Sequence, residues 1–331
     1  MRIVFFGSGE FGLPTLAALA RGHEVTGVVS QPDRPAGRGG ALTPTPIATW
    51  AKVNLPGVPL VRSERVSAGE DLARVRALPA DAWVVIAFGQ KLSAGLLEGK
   101  RAVNLHASLL PRWRGAAPIN AAVMAGDAET GNSVITLAER MDAGLVLAQS
   151  RRAIEPSVTA GELHDLLSAD GPALVLGVLA DLGGAIARGA VQDESRATRA
   201  PKLSRADAWV DWGRPAREVR ARIHGLTPWP GVSVTIGGAG GVGAAGGGAG
   251  GERVKLLRVA DQPQGGGGGG GASEPGRLVD ASTGVVACGE GGAVRILEVH
   301  PAGRSRMAWG EFARGRRLEA GARVESEVRT C

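Results

Sequence analysis

Residues 2–29 read RIVFFGSGEFGLPTLAALARGHEVTGVV, and this stretch decides the fold class. Arg2 to Phe6 is a short apolar run of strand length. A glycine-rich turn follows, then Leu13 to Ala20 with helical spacing, then a second strand from Glu24 to Val29. Ala82 to Ala87 (AWVVIA) and Ala102 to Ala107 repeat the strand pattern, and Gly161 to Ala187 holds one or two amphipathic helices. Strands alternating with helices predict an α/β domain. Its sheet should be parallel and covered by helices on both faces, because parallel neighbours require crossover connections.

The first turn carries a motif. Gly7-Ser8-Gly9-Glu10-Phe11-Gly12 is a literal GxGxxG between a strand and a helix, and Asp33 lies roughly 20 residues on. That pattern fits a dinucleotide site. It fits equally a tight turn whose glycines let the helix pack closely. Both readings stand at this point.

The pattern changes beyond residue 195. Residues 196–204 (RATRAPKLS) are polar and basic, lack apolar periodicity and read as a linker between domains of residues 1–195 and 205–331. Strand-sized runs recur after it at Val232–Ile236, Arg253–Val259, Gly284–Cys288 and Ala293–Val299, which suggests a small barrel or sandwich. Two glycine tracts, residues 237–251 and 265–271, read as flexible insertions in hairpin loops. Such insertions cost little, because closure entropy grows only logarithmically with loop length.

Composition narrows the partners. The chain has 331 residues, 44% of them hydrophobic, which is ample for two cores. The net charge of +6 is uneven: residues 1–199 carry +1 and residues 200–331 carry +5. A basic C-terminal part points to a polyanionic partner or to a basic solvated surface. The N-terminal run is too short for a secretory signal, and no stretch reads as the ~18 to 20 apolar residues of a membrane span. A cytoplasmic monomer with no membrane partner is therefore expected. Cys288 and Cys331 have no metal-ligand spacing around them and read as inert, reduced thiols.

The densest chemistry lies in Val103 to Ile119, VNLHASLLPRWRGAAPI. On a strand, Val103, Leu105 and Ala107 point one way, and Asn104 and His106 the other. A carboxamide and an imidazole then share one face near the strand's C-terminal end, where open parallel sheets bind ligands. Spacing alone leaves a hydrogen-bonded structural pair as an alternative. Arg112-Trp113-Arg114-Gly115 follows as a basic loop.

These residues resemble a known family. NLHASLLPRWRGAAPI is similar to the signature of enzymes that use 10-formyltetrahydrofolate, and its RWRGAAPI half resembles the methionyl-tRNA formyltransferase family. QPDRPAGRG (residues 31–39) resembles the loop that this family inserts after its second strand. Thr130-Gly131 with Met141-Asp142-Ala143-Gly144 resembles its TG…LDTG region, with Met and Ala in place of Leu and Thr. Lys202-Leu203-Ser204, Asp211-Trp212, Pro228-Trp229-Pro230 and PAGRSRM (residues 301–307) match further motifs in order. The likeness spans nearly the whole chain and fails only in the glycine tracts.

The resemblance implies a Rossmann-like parallel-sheet formyltransferase domain followed by a small OB-like β-barrel. It implies formyl transfer from 10-formyltetrahydrofolate to the methionine amino group of initiator methionyl-tRNA, with neither metal nor NAD. It maps catalytic roles onto Asn104, His106 and Asp142. Asn104 would donate to the developing oxyanion, His106 would move the amine's proton, and Asp142 would orient the imidazole. It lines the folate site with Ser108, Leu109, Leu110 and Pro111 and turns the backbone of Ala87, Phe88 and Gly89 toward the pterin. It assigns tRNA contacts to Arg34 and Arg38, in a flexible loop from Asp33 to Leu42, and to Lys202. His23, His164, His224 and His300 receive no catalytic role. Three rival readings remain: a sugar-nucleotide formyltransferase, a formyl-folate hydrolase, and a dinucleotide-binding protein without catalysis.

Overall fold

The computed structural model describes residues 1–36, 39–237, 251–262, 273–314, 316 and 318–326. Two compact units emerge, one of residues 1–118, 129–153 and 164–200, the other of residues 119–128, 154–163 and 201–331.

The first unit is built on a seven-stranded sheet. Its strands in chain order are β1 (Arg2–Gly7), β2 (Glu24–Ser30), β3 (Leu60–Arg62), β4 (Ala82–Ile86), β5 (Ala102–His106), β6 (Glu129–Thr136) and β7 (Val146–Ala153). The spatial order is β3-β2-β1-β4-β5-β6-β7. Strands β3 to β5 in this order run parallel. Ile3 to Phe6 and Ala82 to Ile86 are buried throughout, as expected of central strands covered on both faces. The chain winds outward from β1 to β3 and then returns to β4 on the other side of β1. The crevice at the C-terminal ends of β1 and β4 is therefore the topological switch point.

The expectation of a purely parallel sheet needs correction at one edge. Strand β6 is antiparallel to β5, and β7 is antiparallel to β6. The sequence ETGNSVIT of β6 hides this, because Thr130, Asn132 and Ser133 are polar yet buried. Asn132 Nδ2 donates to the Leu167 carbonyl (2.8 Å) and Ser133 Oγ to the Ser108 carbonyl (2.6 Å), while Thr130 Oγ1 and Asn132 Oδ1 find no partner among the described residues. Burial is tolerable once the polar atom has a partner.

Helix Ala160–Ala180 corrects a second expectation. At 21 residues it is long and apolar enough to cross a membrane by length and composition. Its side chains Leu163, Leu167, Val175, Val178 and Leu179 are nevertheless buried within the protein, and Pro172 lies inside it. Gly171 sits where a Cβ would come within 2.8 Å of the Leu105 side chain. The helix thus presses on the Leu105 face of β5, leaving Asn104 and His106 on the opposite face.

The second unit is an antiparallel sheet of β8 (Val232–Ile236), β9 (Glu252–Gln262), β10 (Leu278–Asp280), β11 (Val285–Ala287), β12 (Ala293–Pro301) and β13 (Val324–Ser326). Their order is β10-β11-β12-β9-β8-β13, and Met307–Ala308 pairs with β12. Leu278 N–H donates to the Ala322 carbonyl (2.9 Å) and Val324 N–H to the Gly276 carbonyl (2.8 Å). These bonds join the two ends of the sheet, so it closes into the expected small barrel and leaves little edge. Val232, Val234 and Ile236 face a core that also takes in Leu256, Ile296, Trp309 and Phe312. Helix Ala216–Gly225 adds Val219 and Ile223 to that core. Gly225 accepts a hydrogen bond from Asn120 (2.7 Å), so residues 119–128 group with this unit.

The first glycine tract joins β8 to β9, which pair with each other, so it is a hairpin connection. The second does not join paired strands, because β9 pairs with β8 and β12 whereas β10 pairs with β11. The tracts themselves, residues 238–250 and 263–272 in the main, lie outside the described residues.

His224 illustrates the second core. It is buried, its Nδ1 donates to the Pro156 carbonyl (3.2 Å), and its Nε2 accepts from Val259 N–H (3.1 Å). Only a neutral ring satisfies both bonds, and burial pushes its pKa down to about 4. A folded-state pKa below the unfolded value gives stability that is complete above pH ~6.5 and is lost as the pH falls toward 4. The loss between pH 7 and pH 4.5 should be about 2 kcal/mol. Urea denaturation of the native protein and His224→Gln at both pH values checks this. The variant should lack that part of the pH dependence, and identical pH slopes would refute it.

Candidate active site

Strand β5 ends at His106, and the chain turns at once into the loop Ala107 to Gly115. Backbone and hydroxyl bonds cinch this loop. Ser108 is fully buried, and its hydroxyl donates to the Arg112 carbonyl (2.7 Å). Ser133 Oγ accepts from Leu110 N–H (3.1 Å), and Gln149 Nε2 donates to the Leu110 carbonyl (3.0 Å). The Leu110–Pro111 peptide is cis. Of the residues assigned to folate, Ser108 and Leu110 are buried, while Leu109 and Pro111 are half-buried.

The loop ends on a strained backbone. Trp113 has φ 60 and Gly115 φ 125, in the left-handed region that favours glycine. The Trp113 carbonyl lies 2.9 Å from His106 Nε2. A carbonyl only accepts, so Nε2 carries the proton in this conformation. His106 Nδ1 faces Asp142 Oδ1 at 3.7 Å, and both side chains are largely buried. Asp142 Oδ2 accepts from Gly115 N–H (2.9 Å). Asp142 itself has φ 56 in the Met-Asp-Ala-Gly turn. Asn104 is half-buried on the His106 face of β5, and among the described residues its carboxamide has no hydrogen-bond partner. The structure therefore brings His106 and Asp142 together and sets Asn104 two residues before His106 on the same strand.

The segment read as part of a linker also pairs with the site loop. Arg199–Ala200 pairs in parallel with Arg114–Gly115. Trp113 N–H donates to Thr198 Oγ1 (2.9 Å), and Arg114 N–H donates to the Thr198 carbonyl (2.9 Å). Gln192 is buried and donates from Nε2 to the carbonyls of Asp142 and Gly144, both at 2.8 Å. Its Oε1 accepts from Arg114 Nε and Nη2, at 3.0 and 2.7 Å. Glu194 takes hydrogen bonds from Arg114 and then Arg140, which hold its carboxyl at about 2. Sequence reasoning missed Thr198 and Gln192, because isolated polar residues in an aperiodic stretch give no pattern to detect.

The other sequence-assigned residues fall as follows. Ala87 and Gly89 are exposed just past β4, with φ 47 and 82, whereas Phe88 is a core side chain packed edge-on against Phe6. The Phe88 carbonyl accepts from Ser8 Oγ (3.1 Å) and Gln31 Nε2 (3.2 Å), tying the ends of β1, β2 and β4 together. Arg34 is exposed. It lies in a short antiparallel hairpin, Arg34–Ala36 with Ala41–Thr43, so the stretch expected as a flexible loop has regular pairing at its base. Arg38 lies outside the described residues, and Lys202 is exposed in the second unit.

The GxGxxG turn packs as glycines allow. A Cβ on Gly7 would meet the Phe5 ring at 2.6 Å, and one on Gly12 would meet it at 3.1 Å. Asp33 is engaged by Arg62 at 2.8 Å. Cys288 is buried, and burial pushes its thiol up to about 12. Among the described residues no group of His, Cys, Asp or Glu is arranged to hold a metal.

Comparison with known proteins gives the family. Residues 1–179 match the formyl transferase family and residues 202–317 match the formyl transferase C-terminal domain. Methionyl-tRNA formyltransferase of Methylobacterium nodulans is 42% identical, covering 98% of this chain and 99% of its own. The enzyme of the same name from Parvibaculum lavamentivorans is also 42% identical, covering 98% of this chain and all of its own length, 100%. Among solved structures, the sugar 3N-formyl transferase WlaRD superposes with a TM-score of 0.63 at 10% identity, over 92% of this chain and 98% of its own. HypX from Aquifex aeolicus, solved with tetrahydrofolic acid, gives 0.59 at 16% identity over 94% of this chain and 46% of its own. At such identities these two structures bear on the fold alone.

Gly115 supplies a test of the loop's architecture. A Cβ there would run into the Ala200 carbonyl oxygen, at a φ that L residues rarely adopt. Gly115→Ala should cost at least about 2 kcal/mol of stability. Chemical denaturation measures it, and a loss below about 0.5 kcal/mol would contradict the packing described.

Proposed function

The chain belongs to the methionyl-tRNA formyltransferase family, and from this premise we propose how its residues carry the reaction. The enzyme transfers the formyl group of 10-formyltetrahydrofolate to the amino group of methionine on initiator methionyl-tRNA, for translation initiation. The donor brings the reactive carbon, so the protein's work is binding, orientation and charge placement. The observation that carries the reading is the approach of His106 to Asp142 within 3.7 Å at the end of β5.

Among the described residues the Asn104 carboxamide has no hydrogen-bond partner on the same strand face, which suits it to meet a carbonyl oxygen. As the amine adds to the formyl carbon, negative charge grows on that oxygen, and a fixed N–H donor stabilises it. Once the ring proton sits on Nδ1 against Asp142 and Nε2 is released from the Trp113 carbonyl, His106 takes up the amine's proton at Nε2. Asp142 orients the ring and supports its charged form. The folate lies along Leu109 and Pro111 with Ser108 and Leu110 shaping the loop beneath. The exposed turn at Ala87 and Gly89 faces the pterin, with Phe88 anchoring it.

Residues 1–195 form the catalytic domain, 196–204 the connection and 205–331 the tRNA-binding barrel, whose +4 share of the charge favours phosphate contacts. Arg34, Arg38 and Lys202 make tRNA contacts. The protein works as a cytoplasmic monomer without membrane contact, where charged tRNA is available.

Formylation of charged initiator tRNA by the purified protein is the direct test. Asn104→Ala should lower kcat about 10²- to 10³-fold, and near-normal turnover in the folded variant would remove Asn104 from the chemistry. Arg38→Ala should lower kcat/KM for initiator tRNA and weaken discrimination against elongator methionyl-tRNA. Arg38→Lys should not restore it, because lysine lacks the paired donors of a guanidinium. Equal losses on both tRNAs, repaired by lysine, would reduce Arg38 to a generic charge.

A further inference from the structure

Asp142 occupies a turn that ought to be loose. It is a non-glycine residue at φ 56, its carboxylate takes one backbone hydrogen bond from Gly115, and Met141 beside it is 60% exposed. A carboxylate meant to orient a buried imidazole needs that turn held to within a fraction of an ångström.

One side chain holds it. Gln192 lies 50 residues further along the chain, is buried, and has every hydrogen-bonding direction of its amide plane engaged. The chemistry of its partners fixes its orientation. The carbonyls of Asp142 and Gly144 only accept, so the nitrogen must face them; Arg114 only donates, so the oxygen must face it. Arg114 is in turn held by Glu194 and by the pairing of its backbone with Arg199. The clamp thus joins both sides of the candidate site: the Arg114–Gly115 strand, whose N–H binds Asp142 Oδ2, and the turn that carries Asp142.

We infer that Gln192 is a positioning residue for formyl transfer, acting through the main chain of Asp142 to set the carboxylate against His106. The inference rests on the role given to Asp142 above. Gln192 touches neither the reacting atoms nor His106. A glutamate in its place would keep the Arg114 contact but would turn an acceptor toward two carbonyls, expelling the turn. An asparagine would keep the amide but fall one methylene short of spanning Arg114 and the turn.

The test compares Gln192→Glu, Gln192→Asn, Asp142→Asn and the double variant Gln192→Glu/Asp142→Asn in steady-state formylation, with thermal melts as the fold control. Gln192→Glu should lower kcat about 10- to 100-fold, the scale of a catalytic group misplaced by an ångström. KM for donor and for tRNA should stay within about two-fold, because neither binding surface changes. Asp142→Asn should be strongly impaired, and adding Gln192→Glu to it should cost almost nothing more, since both changes remove the same interaction. If the glutamate variant does not fold, Gln192→Asn carries the same expectation. Wild-type kcat in either folded Gln192 variant, or a full additional loss in the Asp142→Asn background, overturns the inference. A fully active Asp142→Asn enzyme instead overturns the role of Asp142, and the two failures are told apart by that single variant.

Discussion

A buried imidazole can be aimed only if the groups around it cannot move, and here that constraint falls on backbone carbonyls. The Trp113 carbonyl meets His106 Nε2 at 2.9 Å, and it points there because Trp113 adopts φ 60. Such a conformation costs of order 1 kcal/mol or more and persists only when its surroundings over-determine it. Thr198 supplies that determination from one side, Ser108 from the other, and the close approach of Ala200 to Gly115 leaves no slack. The segment from Gln192 to Ala200 is therefore a strap across the site. Remove it in thought, and β5 would still form while the loop beyond it would have no reason to adopt this shape.

The sheet's edge follows the same logic. Strands β1 to β5 are apolar and parallel, as crossover connections require. The antiparallel strands β6 and β7 carry polar residues that look unsuited to burial. Ser133 and Gln149 face the loop after β5 and brace Ser108 and Leu110. Polarity at this edge serves the neighbouring loop, and the hydrogen bonds offset the desolvation that burial entails. The candidate site thus sits where the parallel sheet ends and an antiparallel hairpin takes over.

Much of this was legible in the residues. The alternation in RIVFF, EVTGVV and AWVVIA encodes buried strands because periodicity reports which faces lose water. The same-face placement of Asn104 and His106 follows from the pleat of a strand alone. The glycines of GSGEFG were ambiguous in sequence, and the Phe5 ring against Gly7 and Gly12 gives their packing role. The linker reading of residues 196–204 left out the pairing of Arg199 and Ala200 with the site loop. RATRAPKLS has no apolar period, and a segment can lack one either because nothing holds it or because hydrogen bonds rather than hydrophobic contacts hold it. Arg199 and Ala200 belong to the second kind.

By itself the sequence determined the α/β and β-barrel elements, their order, and the residue types available for chemistry, because burial periodicity and local motifs are short-range properties. Tertiary structure alone decided which polar groups meet: His106 with Asp142, Asp142 with Gln192, Trp113 with Thr198. These partners lie 36, 50 and 85 residues apart. A hydrogen bond is specific in distance and direction but leaves no repeat along the chain, so only the closed fold tells which donor finds which acceptor.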